Sequence, residues 1–367
     1  MRRGLRRLAV VLGAALLGIG LAMGATVIAV ERGCTAAPAP GAKAAPGFDI
    51  RDPGYRRAEG DSYLTYPEWN IVHAYADLAG VTRRASEAAF DYLAAVRGFW
   101  SSLCGATRTA SRIGPVTSAQ KVTNYVIGFS FTAEMAVQGL YERTVGALTA
   151  WWRGDERTAE DAFALRMRDD YAAFLRQTPW YRFPFGAELA RFWRETPFRP
   201  SLRSVERRVA LTLECGVKWA YAALIRYAAG FSPADLTIRS VVAGLDDADL
   251  LAEPRIKRIR EVAAPDGRVA TLVETPRYRA LTEIVRFLGE RKRSFLEIAG
   301  NRHILTTVLA PADRPMDTPG AVEIFSLPIQ SEPGWRRVGL DTEVPALAAQ
   351  VGLVEAQGAR FEHAYDY

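Results

Sequence analysis

Glu134 and Glu214 are the carboxylates of this chain whose setting could put them to chemical use. Each stands inside a strongly apolar stretch, in a motif written twice: Thr132 to Tyr141 reads TAEMAVQGLY, and Thr212 to Tyr221 reads TLECGVKWAY. Thr, Glu, Val and Tyr recur at matched positions, and Gln138 of the first copy is Lys218 in the second. At helical spacing Glu134, Gln138 and Tyr141 share one face, as do Glu214, Lys218 and Tyr221. Paired carboxylates can divide acid and base work, as in glycoside hydrolysis. A carboxylate facing an ammonium can instead fix helix register, or hold a polar ligand, inside an apolar bundle. If the two copies pack about a pseudo-two-fold axis, Glu134 approaches Lys218 and Glu214 approaches Gln138.

A second candidate is the segment Cys104 to Lys121, CGATRTASRIGPVTSAQK, where Arg108, Arg112 and Lys121 could cradle an anion against the helix that follows. Trp100, Trp180, Tyr181, Phe183 and Trp193 could line a pocket for an apolar small ligand. The three histidines, His73, His303 and His363, are scattered, with no HExxH or ExxH pairing, so no metal ligand is assigned. No glycine-rich phosphate loop and no nucleophile elbow occurs, so no catalytic residue and no cofactor is assigned. Of three cysteines, Cys34, Cys104 and Cys215, the last two could form a disulfide in an oxidising compartment. Cys34 follows Glu31-Arg32-Gly33, too charged a context for lipid attachment.

The elements that must position these residues begin with a duplication. Tyr75-Ala76, Phe99-Trp100 and the first Thr-x-Glu recur in the same order as Tyr171-Ala172, Phe192-Trp193 and the second. Tyr75 to Tyr171 is 96 residues, Trp100 to Trp193 is 93 and Glu134 to Glu214 is 80, which places about thirteen extra residues of the first copy within 101–121. A duplicated helical domain is therefore expected over 61–232, with units of about 65–150 and 158–230. Its first helix is expected to start at Thr65, where Thr65-Tyr66-Pro67-Glu68 has capping-box spacing.

Upstream, Arg2, Arg3, Arg6 and Arg7 precede an uncharged, mostly apolar run from Leu8 to Val30. Twenty-three such residues match a transmembrane helix, and the arginines place the N-terminus in the cytoplasm. The reading is an anchor over 1–32 in a bacterial inner membrane, with the bulk of the chain outside; a cleaved signal peptide is the rival. An Ala/Pro/Gly-rich linker follows over 33–60. A polytopic protein, with the two motif helices in the bilayer, is a further reading, though Glu134, Glu142 and Arg143 would be costly at bilayer depth.

Beyond 233 the pattern turns to α+β. Strands are expected at 268–274, 295–299, 303–309, 322–326, 337–341 and 360–365, with helices at about 275–290 and 344–354, Gly300-Asn301 as a hairpin and a further turn at 265–267. This order suggests one ferredoxin-like core over about 268–367. The fold class is thus mainly α, with an anchor, a duplicated bundle and a C-terminal α+β domain. The net charge of +6 is spread along the chain and carried by 42 arginines against five lysines, without a nucleic-acid-binding motif, so no nucleic-acid partner is assigned. The expected function is binding, of a protein partner or an apolar small ligand; an envelope hydrolase using Glu134 and Glu214 is the alternative.

Overall fold

The computed structural model describes residue 18 and residues 21–36, 48, 55–113, 118–154, 156–228, 236–264, 267 and 269–367. The arginine cluster and the first half of the apolar run lie outside these residues, as do most of the linker and the boundary at 229–235. Residues 21–33 form a helix, α1. Among the described residues, no helix is long and apolar enough to cross a membrane.

The helical part comprises α2 (Glu59–Arg84), α3 (Tyr92–Ile113), α4 (Ser118–Tyr141), α5 (Ala147–Arg153), α6 (Ala159–Leu175), α7 (Phe185–Glu195) and α8 (Leu202–Ala228). A π-helical turn, Glu142–Gly146, joins α4 to α5. The markers read as a repeat in the sequence make matching contacts. The Trp100 indole N–H donates to Thr132 Oγ1 at 3.0 Å, and the Trp193 indole N–H donates to Thr212 Oγ1 at 3.2 Å. Phe99 and Phe192 are both buried beside them, and Tyr75 meets Tyr171 edge to face with ring centroids 5.0 Å apart. The triplets α2-α3-α4 and α6-α7-α8 therefore correspond. The extra residues of the first copy are largely helix rather than loop: α3 continues to Ile113, well past Trp100, whereas α7 ends at Glu195, just after Trp193.

The first long helix starts earlier than the capping-box spacing suggests. Its first turn carries Glu59 and Asp61, which suit the positive end of a helix dipole. Thr65 lies inside, its hydroxyl bonded to the Asp61 carbonyl at 2.9 Å, and Pro67 is an interior residue. The last part of the expected linker is docked rather than free. Phe48 N–H donates to Glu297 at 3.1 Å, Arg57 N–H donates to the Ala299 carbonyl at 3.0 Å, and the Arg239 guanidinium sits 3.6 Å from the Tyr55 ring centroid.

The C-terminal part differs from a single ferredoxin-like core. It holds two four-stranded antiparallel sheets. The first is built from β1 (Thr237–Ala243), α9 (Asp247–Ala252), β2 (Lys257–Ala263), β3 (Val269–Pro276), α10 (Arg279–Glu290) and β4 (Ser294–Ile298), in the order β2-β3-β1-β4. The second uses β5 (His303–Pro311), β6 (Ala321–Pro328), β7 (Trp335–Glu343), α11 (Leu347–Ala356) and β8 (Arg360–Tyr365), in the order β6-β7-β5-β8. Strand for strand the two orders are the same. Gly300-Asn301, expected to close a hairpin, instead passes the chain from one sheet to the other, leaving a single bridge between Ile298 and Asn301. The turn near Gly267 does join an antiparallel pair, β2 with β3, and Gly267 takes φ 81°, a conformation a side chain would resist.

Both sheets share one apolar core with α10 and α11, where Leu281, Val285 and Leu288 meet Leu347, Val351 and Val354. Burial of such side chains supplies about 1.5–3 kcal/mol each. The helical part is fused to this unit through α2. Ser62 Oγ donates to the Tyr365 carbonyl at 2.7 Å and accepts from Leu305 N–H at 2.8 Å, and Tyr63 OH donates to Asp341 at 2.6 Å.

Candidate functional site

Helices α4 and α8 bring the two motif carboxylates to one ammonium. Lys218 Nζ lies 2.9 Å from Glu134 Oε1 and 3.1 Å from Glu214 Oε1. Tyr75 OH donates to Glu134 at 2.5 Å. The ammonium also stands over three rings, 5.0 Å from the centroid of Tyr75, 5.2 Å from Tyr171 and 5.8 Å from Phe185. Burial works against the charged lysine, but Glu134, Tyr75 and Glu214 outweigh it and hold its pKa well above the usual range. Burial likewise works against the Glu214 carboxylate, yet Lys218 and Arg168 bring its pKa below the usual value.

Of the six expected polar-centre residues, Glu134, Gln138, Glu214 and Lys218 converge here. Gln138, Glu214 and Lys218 line one small cavity, with Tyr75, Leu78, Met167, Arg168, Tyr171 and Phe185. It has room for about one water molecule. Tyr141 and Tyr221 lie elsewhere because seven residues carry a helix about 10 Å along its axis. Tyr141 sits beneath Arg207, 5.7 Å from the guanidinium, and Tyr221 packs on Trp180 at 5.1 Å between ring centroids.

Next to this centre lies a larger group of buried charges that sequence reasoning missed. Arg207 makes a two-pronged bond to Glu142, at 3.0 and 2.7 Å. Glu87 receives Arg168 at 2.7 Å, with Arg203 at 3.4 Å and Arg207 at 3.8 Å. Arg203 also binds Asp161 at 2.8 Å and Glu206 at 3.1 Å, and Arg153 binds Asp161 at 2.7 Å. Four arginines thus meet four carboxylates, and the charges balance. Burial raises the cost of the Glu87 charge, but Arg168 and Arg207 pull its pKa down to about 2. A sequence signal existed: on α8, Arg203, Arg207, Glu214 and Lys218 follow helical spacing along one face, which is the motif stripe extended backwards.

The scattered histidines are partly gathered as well. His73 on α2 and His363 on β8 meet around Trp69 and Tyr365, with the His363 ring 3.9 Å from Trp69 and His73 Nε2 3.1 Å from Tyr365 OH. Arg337 and Glu362 pair beside them at 2.6 Å. Burial holds both imidazoles down to about 3, so they are neutral. No group of three metal-ligating side chains occurs among the described residues.

The segment expected to cradle an anion is mostly helix. Arg108 donates to the Gly33 carbonyl at 3.0 Å and Lys121 pairs with Glu31 at 2.8 Å, so both cations hold the N-terminal segment; Arg112 is exposed on α3. The expected aromatic pocket does not gather either. Trp100 and Trp193 serve their threonines, Trp180 stacks on Tyr221, and Phe183 is core. The disulfide is Cys34–Cys104, with Cα atoms 4.9 Å apart, rather than Cys104–Cys215. Cys215 is turned inward against Met167 at 3.5 Å, and burial pushes its thiol up to about 12, which leaves it protonated and unreactive. The chain matches no protein-family model, no curated protein and no solved structure.

Proposed function

We propose that the chain is a membrane-anchored binding or interaction module of the bacterial envelope, with a pseudo-symmetric polar centre that locks its helical bundle. The observation that carries this reading is Lys218 shared between Glu134 and Glu214, one carboxylate from each copy of the motif. Such a centre fixes the register of α4 against α8, because any slip strands a buried charge. What remains for function is the surface the locked bundle presents to a protein or an apolar ligand. The Cys34–Cys104 disulfide fits an oxidising compartment, and hence a body outside the cytoplasm. We read each β unit as a ferredoxin-like module, the second lacking a helix between its first two strands.

The hydrolase alternative is weaker. An ammonium between the carboxylates keeps Glu214 ionised, which removes the proton a general acid must deliver. The adjoining cavity has room for about one water molecule and admits no sugar ring. The polytopic alternative gains from the uncharged outward faces of α4 and α8.

The test is a full-length Glu134→Gln/Glu214→Gln chain, compared with the parent for thermal midpoint and for complementation of a deletion strain. A lowered midpoint with impaired complementation is expected. Parental behaviour in both would remove the basis of this reading.

A further inference from the structure

We propose that the outer face of α4, α5 and α8 is covered by lipid acyl chains: this side of the bundle lies against the bilayer that holds the N-terminal run. Between Lys121 and Arg143, every exposed residue of α4 is uncharged: Val122, Thr123, Val126, Ser130, Ala133, Ala136, Val137 and Leu140. On α8, Leu202, Val205, Val209, Leu213, Val217 and Leu224 are exposed, Val217 at 67% and Leu213 at 63%, and no charge appears on that side before Arg226. The six charged residues between them on the same helix, Arg203, Glu206, Arg207, Arg208, Glu214 and Lys218, all turn inward and are paired. That is the reverse of a water-facing helix, which puts its charges outside. Ionisable groups facing the bundle interior with apolar side chains outside are what a lipid-facing surface demands.

The size of the face excludes scattered surface apolarity. At 1.5 Å per residue, Val122 to Leu140 spans about 27 Å and Leu202 to Leu224 about 33 Å. Trp151 and Trp152 at the end of α5 are 74% and 71% exposed; these two indoles alone offer on the order of 300 Å². Water-facing monomers rarely show one apolar patch beyond a few hundred Å². Tryptophan at one end of such a face also suits the headgroup level. The far side of the bundle is different: Arg166 and Asp170 are exposed there on α6. One apolar side and one charged side make an interfacial body.

The occupant is fixed by the chain itself. Helix α1 continues the apolar run that begins at Leu8 behind Arg2, Arg3, Arg6 and Arg7, and its own Leu21, Met23 and Ile28 are exposed. It is clamped to the bundle by the Cys34–Cys104 disulfide and by Glu31, which binds Lys121 at 2.8 Å and Tyr125 at 2.7 Å. The Glu31 contacts fall in the first turns of α4, at Lys121 and Tyr125, where the uncharged face begins at Val122. Whatever apolar phase takes the N-terminal run therefore lies at the edge of this face. The inference does not depend on what the polar centre binds.

The experiment uses the full-length chain carrying Cys215→Ala, reconstituted in phosphatidylethanolamine/phosphatidylglycerol vesicles. An environment-sensitive NBD label is attached at single cysteines: Val137→Cys, Leu213→Cys, Ala136→Cys and Ala220→Cys on the face, and Arg166→Cys and Asp170→Cys on the far side. Far-ultraviolet circular dichroism reports whether each preparation is folded, and the two alanine sites repeat the reading with a minimal change. Face labels are expected to emit blue-shifted and to lose at least half their intensity to doxyl-labelled lipid, while far-side labels respond to aqueous iodide. Iodide quenching of the face labels equal to that of the far side overturns the proposal. Blue-shifted face labels that ignore doxyl lipid but transfer energy between copies also overturn it, because a second copy then fills the face.

Discussion

The two neutral histidines at the seam between α2 and the second sheet make the stability of this protein depend on pH in a calculable way. His73 and His363 lie buried around Trp69 and Tyr365, with Thr282 Oγ1 2.8 Å from His363 Nδ1. Burial takes each from 6.5 to about 3. A depressed folded-state value means that the unfolded chain takes up the proton first. The stabilisation is therefore complete above pH 6.5 and is lost progressively as pH falls toward 3. Between pH 7 and pH 5 the loss works out at about 2 kcal/mol per histidine, about 4 kcal/mol for the pair.

Other groups titrate nearby, so the difference between variants matters more than the parent slope. Glu362, held down to about 2 by Arg337 against the effect of its burial, keeps its contribution until pH falls below 4.5 and is silent in this window. Asp77, raised by burial, and His303, raised chiefly by its bond to Asp341, act with the opposite sign. The assay is urea unfolding of the full chain in detergent at pH 7 and pH 5, for the parent, His73→Gln and His363→Gln. Each variant is expected to lose about 2 kcal/mol less than the parent across the interval, whatever its stability at pH 7. Equal losses in all three would refute the reasoning. So would imidazole carbon shifts of a protonated ring at pH 5 in the folded protein.

Arg207→Met should cost about 3–5 kcal/mol, because it leaves Glu142 without its guanidinium, and adding Glu142→Gln should restore part of that loss; thermal melts of both variants decide it. Cys34→Ser should lower stability by about 4 kcal/mol through loss of a cross-link across 70 residues, and reductant should then have no further effect on the midpoint. Gly339→Ala should destabilise by about 1–3 kcal/mol, since its new methyl group would run into the Phe325 ring on the neighbouring strand; a parental urea midpoint would contradict the packing.

The helical duplication was legible because its markers are large or polar residues in fixed order, and each has a physical task. The tryptophans bond the motif threonines, and the tyrosines surround Lys218. Read as markers of a repeat, Tyr75 and Tyr171 were not read as part of the site, since only tertiary packing brings α2 and α6 against α8. Glu87, Glu142 and Arg168 come from three different segments, so helical spacing alone could not join them. The Cys34–Cys104 pair was obscured because Cys34 precedes a linker-like composition that hides its docking on α3.

The second duplication went unread because β1 and α9 were not recognised as elements, and the strand before the turn at 265–267 was counted only as part of an extra hairpin. Counting from β3 then mixed parts of two sheets into one apparent ferredoxin-like order. With the structure in hand, the repeat is visible in the sequence: Thr275 and Thr342 lie 67 apart, while Leu281 and Leu347, and Phe295 and Phe361, lie 66 apart. All six are buried. A repeat carried by a few buried and mostly apolar positions is a faint signal, because many apolar residues can fill the same place.

The two pseudo-symmetric seams of this molecule differ in the way the proposed bilayer face requires. In the β part, α10 and α11 meet through Leu281, Val285, Leu288, Leu347, Val351 and Val354, and the exposed strand β2 carries Lys257, Arg258 and Arg260 outward. There, water outside and apolar contact inside supply the usual driving force. In the helical part, α4 and α8 are as apolar outside as in, so moving their valines and leucines between lipid and the bundle interior gains little. Register must then come from groups that tolerate only one arrangement. Lys218 with its two carboxylates and Arg207 with Glu142 supply it, since a slip of one helical turn would leave unpaired charges in an apolar medium. On this argument the buried ion pairs and the uncharged outer face are one design, and each accounts for the other.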